Sequence, residues 1–155
     1  MALPREQILR VLDANINRAR EGLRVCEDLV RFCLAAPTAK KPGGRRWRVH
    51  IQRLRALRHA LGRQVQRLPL KPVELARARD SRHDPGRRFV SSPVDSTERL
   101  LLINLQRAKE ALRVLEESCR LVAPRSSREF QRLRFRTYDV ERQLLIALAT
   151  LRHSR

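Results

Sequence analysis

Asn15, Arg18, Glu21 and Arg24 set an amide, a carboxylate and two guanidinium forks along one helical stretch. The same types return 89 residues later, in the same order, as Asn104, Arg107, Glu110 and Arg113. Ala19, Leu23, Val25 and Glu27 also recur unchanged, and Asn17, Arg20 and Asp28 recur conservatively as Gln106, Lys109 and Glu117. Helix packing alone explains a shared apolar stripe. It does not explain a shared order of amide, cation and acid, because solvated faces require none. The pattern predicts a duplicated helix whose polar residues converge. Planar guanidinium groups bind phosphate bidentately, and Mg²⁺ takes one or two protein carboxylates beside substrate phosphates, so such a set fits a phosphorylated substrate. The plainer alternative is an internal network in which Asn and Arg bond Glu21 and Glu110 and fix the helix register.

Two other segments have related chemistry. Arg79-Asp80-Ser81-Arg82-His83-Asp84-Pro85-Gly86-Arg87-Arg88 interleaves arginines with two aspartates, a composition suited to holding phosphates and Mg²⁺ together or to a solvated linker. Asp84-Pro85-Gly86 within it marks a tight turn. Lys40-Lys41-Pro42-Gly43-Gly44 is basic and glycine-rich, either a plain turn or a phosphate-binding nest. It lacks the Gly-Lys-Ser/Thr ending of a P-loop.

The elements that must position these residues read as helices. A first helix over Arg5–Leu34 has its apolar stripe at Leu12, Ile16, Ala19, Leu23, Cys26, Val30 and Cys33, with Asp13, Asn17, Arg20, Arg24, Glu27 and Arg31 opposite. Gly22 in its middle costs about 1 kcal/mol against Ala, which points to close packing or a ligand. A second helix, Arg45 to Gln66, turns Trp47, Ile51, Leu54, Leu61, Val65 and Leu68 inward and is ended by Pro69 and Pro72. Asp95-Ser96-Thr97-Glu98 has the form of a capping box opening a third helix to Val122, and Ser126-Ser127-Arg128-Glu129 of another opening a fourth to Leu151. That fourth helix faces inward at Phe130, Leu133, Val140, Leu144, Ala147 and Leu151. Gln52-Arg53-Leu54-Arg55 returns in it as Gln131-Arg132-Leu133-Arg134, which leads us to expect a duplication of the whole hairpin. The expected fold is all-α: one domain over residues 1–155, an antiparallel four-helix bundle of two hairpins about a pseudo-two-fold axis. Repeat one spans about 4–68, an irregular connecting loop 69–95, and repeat two 96–152.

Composition agrees with this. The net charge is +19 and 31 of the 35 basic residues are arginine, which suits either an anionic partner or an arginine-biased solvated surface. Aromatic residues make up only 4%, and stacking on single-stranded nucleic acid needs aromatic platforms. Cys26, Cys33 and Cys119 are odd in number and fall on apolar helical positions, so they are expected as reduced core thiols in a cytoplasmic protein. No segment is apolar enough to span a bilayer.

Taken together, Asp13-Ala14-Asn15 through Asp28, the Arg79-Asp80-x-x-x-Asp84-x-Gly86 loop, and Asn104 through Glu117 resemble the small monofunctional hydroxymethylpyrimidine-phosphate kinases of thiamine biosynthesis, which occur alone or fused to thiamine-phosphate synthase. The loop departs from that pattern at Pro85. The resemblance implies ATP-dependent phosphorylation of 4-amino-5-hydroxymethyl-2-methylpyrimidine phosphate to the diphosphate, with ATP and Mg²⁺ as cofactors. It assigns Arg18, Glu21, Arg24, Arg107 and Asp80 to catalysis and Asn15, Asn17, Asn104, Arg79, Gly86 and Arg113 to substrate. Asp80, Asp84 or Glu21 would hold Mg²⁺. Expected partners are the phosphorylated pyrimidine and the nucleotide, with thiamine-phosphate synthase or a second copy of the chain as macromolecular partners. The rival readings are a basic helical nucleic-acid-binding module, which the acidic half of the repeated motif disfavours, and a non-catalytic partner domain of thiamine-phosphate synthase.

Overall fold

The computed structural model describes residues 4–35 and 44–153, with side chains to 150. The Lys40–Gly43 part of the basic turn and the Leu151 side chain lie outside the described residues. Five α-helices make up the fold, with no strand among the described residues: α1 (Arg5–Asp28), α2 (Arg45–Gln66), α3 (Pro72–Ala78), α4 (Thr97–Val122) and α5 (Pro124–His153). The fold is all-α, as the periodicity predicts. The four long helices pack in a ring, α1 on α4, α4 on α5, α5 on α2 and α2 on α1, and α3 lies against α1.

α1 and α4 cross antiparallel. Near the end of α1, the Cys26 thiol donates to the Leu101 carbonyl near the start of α4, at 3.6 Å. Both predicted stripes are buried here: Leu12, Ile16, Ala19, Leu23 and Cys26 meet Leu101, Leu105, Ala108, Leu112 and Leu115, all 2% exposed or less. Each fully buried leucine contributes roughly 1.5–3 kcal/mol, so this seam is a large source of cohesion. At Gly22 the backbone of α1 passes close to that of α4. A Cβ there would stand 2.8 Å from the Asn104 carbonyl oxygen and 3.4 Å from the Ala108 Cβ. We therefore expect Gly22→Ala to destabilise the fold by roughly 1–3 kcal/mol through overpacking, against its helix-propensity gain of about 1 kcal/mol. A chemical denaturation midpoint above that of the native chain would contradict this.

Several expectations are corrected. α1 does not run on as an α-helix to Leu34. Residues Leu29–Leu34 form a π-turn, closed by the Ala35 N–H donating to the Val30 carbonyl at 2.9 Å. The wider turn spends an extra residue, so Ala35 takes the inward position due to Cys33, and Cys33 is exposed. Burial pushes the Cys26 thiol up to about 12 and the Cys119 thiol to about 11. In the native state a thiol reagent near neutral pH should modify Cys33 alone, and all three cysteines after denaturation. Mass spectrometry reads the count.

The connecting segment 69–95 is not wholly irregular. Pro72, expected only to end α2, sits in the first turn of α3, where its missing N–H costs nothing, and Glu74 reaches back to accept from the Lys71 N–H at 2.7 Å. The cap of α4 is Ser96 rather than Asp95, its hydroxyl accepting from the Arg99 N–H at 3.2 Å. α5 opens at Pro124, which places Ser126 inside its first turn instead of at a cap. Within the supposed polar strip of α1, Asp13 and Glu27 are buried.

Buried acids explain part of the repeat. Glu27 and its counterpart Glu116 are both buried, and each accepts from an arginine of its hairpin partner, Arg58 at 2.8 Å and Arg134 at 2.9 Å. Lys109 and Glu141 join α4 to α5 at 2.6–2.7 Å.

Candidate functional site

A cavity of about 470 Å³ opens along the α1–α4 crossing. Its walls are Asn15, Arg18 and Glu21 from α1 and their counterparts Asn104, Arg107 and Glu110 from α4, with Gly22, Ala111 and Val114 between them. The antiparallel crossing produces this set. It brings the two copies of the motif face to face, so these three repeated polar residues share one cavity with their counterparts.

The two amides are locked identically. Asn15 donates to the Val11 carbonyl and Asn104 to the Leu100 carbonyl, both at 2.8 Å and both one turn back. Each amide keeps its oxygen and one N–H without a bond among the described residues. Arg18, Arg107 and Glu21 likewise have no ion-pair partner among the described residues, and Glu110 accepts only from Gln106, at 2.8 Å. The internal network that sequence alone allowed, Asn and Arg bonded to Glu21 and Glu110, is therefore not formed. Two guanidinium groups without carboxylates, set on opposite sides of a cavity, make a natural phosphate clamp. Glu21 and Glu110 are the carboxylates that line the same cavity.

Other residues expected at the site lie elsewhere. Arg24 donates to Asp28 at 2.9 Å and lines a different groove, between α1 and α2. Arg113 bonds Glu116 and Glu117 of its own helix, at 2.8 and 2.9 Å. Asn17 is half-buried and lines neither cavity. The Arg79–Gly86 loop lines neither as well; Arg79 and Asp80 instead tie it to α1. Arg79 forks onto Asp13 at 2.7 and 2.8 Å. Arg10 donates to the Asp80 carbonyl at 2.8 Å, and the Asp80 carboxylate takes the His83 N–H at 3.2 Å and its ring nitrogen at 2.9 Å. The His83 N–H, and then its ring and Arg10, hold Asp80 below the usual carboxylate range. The Asp84 side chain accepts from the Gly86 N–H at 2.8 Å. Glu21, Asp80 and Asp84 are thus not gathered, and no group of three metal-ligating side chains occurs among the described residues.

Sequence reasoning missed Arg10 as an anchor and Asp13 as its neighbour's partner. A signal for Asp13 was present: its counterpart is Leu102, so the acid is absent where no connecting loop needs holding.

Residues 10–143 match the model of the ThiD2 family. The chain belongs to that family. Among its curated relatives, a thiamine-phosphate synthase of Gloeobacter violaceus is 38% identical over 149 residues, covering 91% of this chain and 38% of the relative. One of Synechocystis sp. is 37% identical over 141 residues, covering 89% of this chain and 36% of the relative. This ThiD2 chain therefore spans little more than a third of the length of those relatives. No solved structure matches it significantly. No helix among its described residues is long and apolar enough to cross a membrane.

Proposed function

We propose that this chain serves thiamine biosynthesis by binding a phosphorylated pyrimidine in the α1–α4 cavity, and that it phosphorylates 4-amino-5-hydroxymethyl-2-methylpyrimidine phosphate to the diphosphate with ATP. The observation that carries the site is the facing pair Arg18 and Arg107, neither of which has a carboxylate partner among the described residues. The thiamine context rests on the family and on the names of the relatives.

In this reading Arg18 and Arg107 grip the substrate's monophosphate, and Asn15 and Asn104 fix its orientation with amide groups already held rigid from behind. The attacking atom is a phosphate oxygen, ionised near neutral pH, so no strong base is needed. Positioning and charge neutralisation carry most of the rate. Glu21 and Glu110 are the carboxylates that would hold Mg²⁺, which when bound neutralises charge on the transferred phosphoryl group. Without the substrate's own phosphate both arginines stay unsatisfied, which disfavours the free alcohol.

A second reading is a non-catalytic domain that binds the pyrimidine for thiamine-phosphate synthase. The names and greater lengths of the relatives favour it more directly than they favour a kinase. ADP release separates the two. Turnover with the monophosphate and not with the alcohol supports the kinase. Saturable pyrimidine-phosphate binding without ADP release supports the partner domain. Equal turnover of both substrates would refute the demand for a phosphate.

A further inference from the structure

The two hairpins differ at one place where their sequences are in register. In repeat two, Lys109 of α4 is met by Glu141 of α5 and lies 4.9 Å from the centre of the Tyr138 ring, so here the cation is neutralised and packed by the facing helix. The Gln52–Arg55 and Gln131–Arg134 match fixes the register of α2 on α5 at 79 residues, and Arg63-Gln64 against Arg142-Gln143 keeps it. On that register Glu141 corresponds to Gly62 and Tyr138 to His59, while Lys109 corresponds to Arg20 on the register of α1 on α4. Repeat one has therefore kept the cation, lost the acid and shrunk the side chain to hydrogen.

The result is an open groove of about 630 Å³ between α1 and α2, within the range of small-molecule sites. Arg20, Arg24, Arg58 and Arg63 line it with His59, and Glu21 is its one carboxylate. Arg24 and Arg58 are offset by Asp28 and Glu27. Arg20 and Arg63 have no carboxylate partner among the described residues. Gly62 is unexplained by packing: a Cβ there would meet nothing within 4 Å, and glycine inside a helix costs about 1 kcal/mol against alanine. Empty space beside unpaired arginines, where the sister repeat has a carboxylate, marks the position of an external anion. The two unpaired guanidinium groups, Arg20 and Arg63, share the groove with two more, Arg24 and Arg58, that keep N–H donors beyond their single acid partners, a spread of donors along the groove that suits a chain of phosphates better than one.

We infer that the α1–α2 groove is a polyphosphate-binding site, separate from the α1–α4 cavity and divided from it by Glu21, which lines both. The ligand is the di- or triphosphate chain of a nucleotide or of an organic diphosphate. The assignment deepens the proposed function by seating the polyphosphate partner of the reaction, but it rests on groove geometry and is testable without turnover.

Calorimetric titration of the full chain with inorganic tripolyphosphate, ATP and pyrophosphate provides the test. Gly62→Glu installs the carboxylate of the sister repeat in open space, and unchanged far-ultraviolet circular dichroism checks that the variant folds. Its affinity for tripolyphosphate should fall at least tenfold, whereas Arg128→Glu, an exposed change of twice the charge elsewhere, should shift it less than twofold. Equal losses in both variants would reduce the effect to net charge and overturn the site, as would tripolyphosphate binding that Gly62→Glu leaves intact. Tighter binding of ATP than of tripolyphosphate identifies a nucleotide, and tighter pyrophosphate binding an organic diphosphate. A chain that binds tripolyphosphate through Gly62 yet releases no ADP would lose the kinase reading and keep the groove. One that releases ADP with a nucleotide KM unaffected by Gly62→Glu would do the reverse.

Discussion

Arg107→Met should lower kcat/KM for the pyrimidine monophosphate by roughly two to three orders of magnitude, the effect of removing one preorganised charged donor from a site where charge develops. Arg18→Met should match it within a few-fold, because the two arginines occupy equivalent walls of one cavity. Methionine keeps an unbranched stem of similar length, and neither arginine forms an ion pair with another described residue. Stability should therefore change by no more than about 0.5 kcal/mol, as for other surface substitutions. Arg113→Met is the informative control. It carries the same residue type in the same repeated motif, but its guanidinium is tied to Glu116 and Glu117, so kcat/KM should fall less than threefold. Steady-state ADP release measures all three. If the chain is a non-catalytic domain, the same ranking should appear in calorimetric affinity for the monophosphate. Full activity and affinity in Arg107→Met would remove the basis of the proposed site.

The largest stability effect is expected at the α4–α5 join. Lys109 and Glu141 have side chains only 9% and 17% exposed, and they bond at 2.6 Å. Lys109→Met strands the glutamate in a largely dry setting and should cost about 3–5 kcal/mol. Adding Glu141→Leu removes the stranded charge along with its partner. The double variant should recover most of the loss, because two apolar side chains of similar volume replace two ions that had to be desolvated. Urea unfolding of the two single variants and the double closes the cycle. Additive losses would show that the pair contributes through packing on Tyr138 and not through charge.

The repeated motif made the fold legible. Two matching apolar stripes at a fixed offset are buried together when the helices face each other, and in this antiparallel crossing Asn15, Arg18 and Glu21 share a cavity with Asn104, Arg107 and Glu110. The register was lost where local geometry overrode the 3.6-residue period. The π-turn after Asp28 turned Cys33 outward, and no residue in Leu29–Leu34 announces an extra residue per turn. The loop was misread for another reason. Arginines and aspartates interleaved in sequence are equally suited to a ligand or to each other, and only the buried Asp13 decides that Arg79 is an anchor. Composition does not reveal which charges are already satisfied. Breaks in the repeat do reveal it in part: Asp13 against Leu102, and Gly62 against Glu141, are the positions where the two halves have different tasks.

The antiparallel crossing of α1 and α4 has a consequence for how a guest enters. A chamber walled by two copies of one motif offers similar faces to a guest, so a molecule with unlike ends meets two head-to-tail poses that differ only where the copies differ. The copies differ in the methyl group that Ala111 has and Gly22 lacks, in Val114, which lines the chamber while its counterpart Val25 lines the neighbouring groove, and in the Gln106 amide that holds Glu110 but not Glu21. Those differences would choose between the two poses of a guest, and a methyl added at Gly22 would erase the first of them as well as loosen the fold.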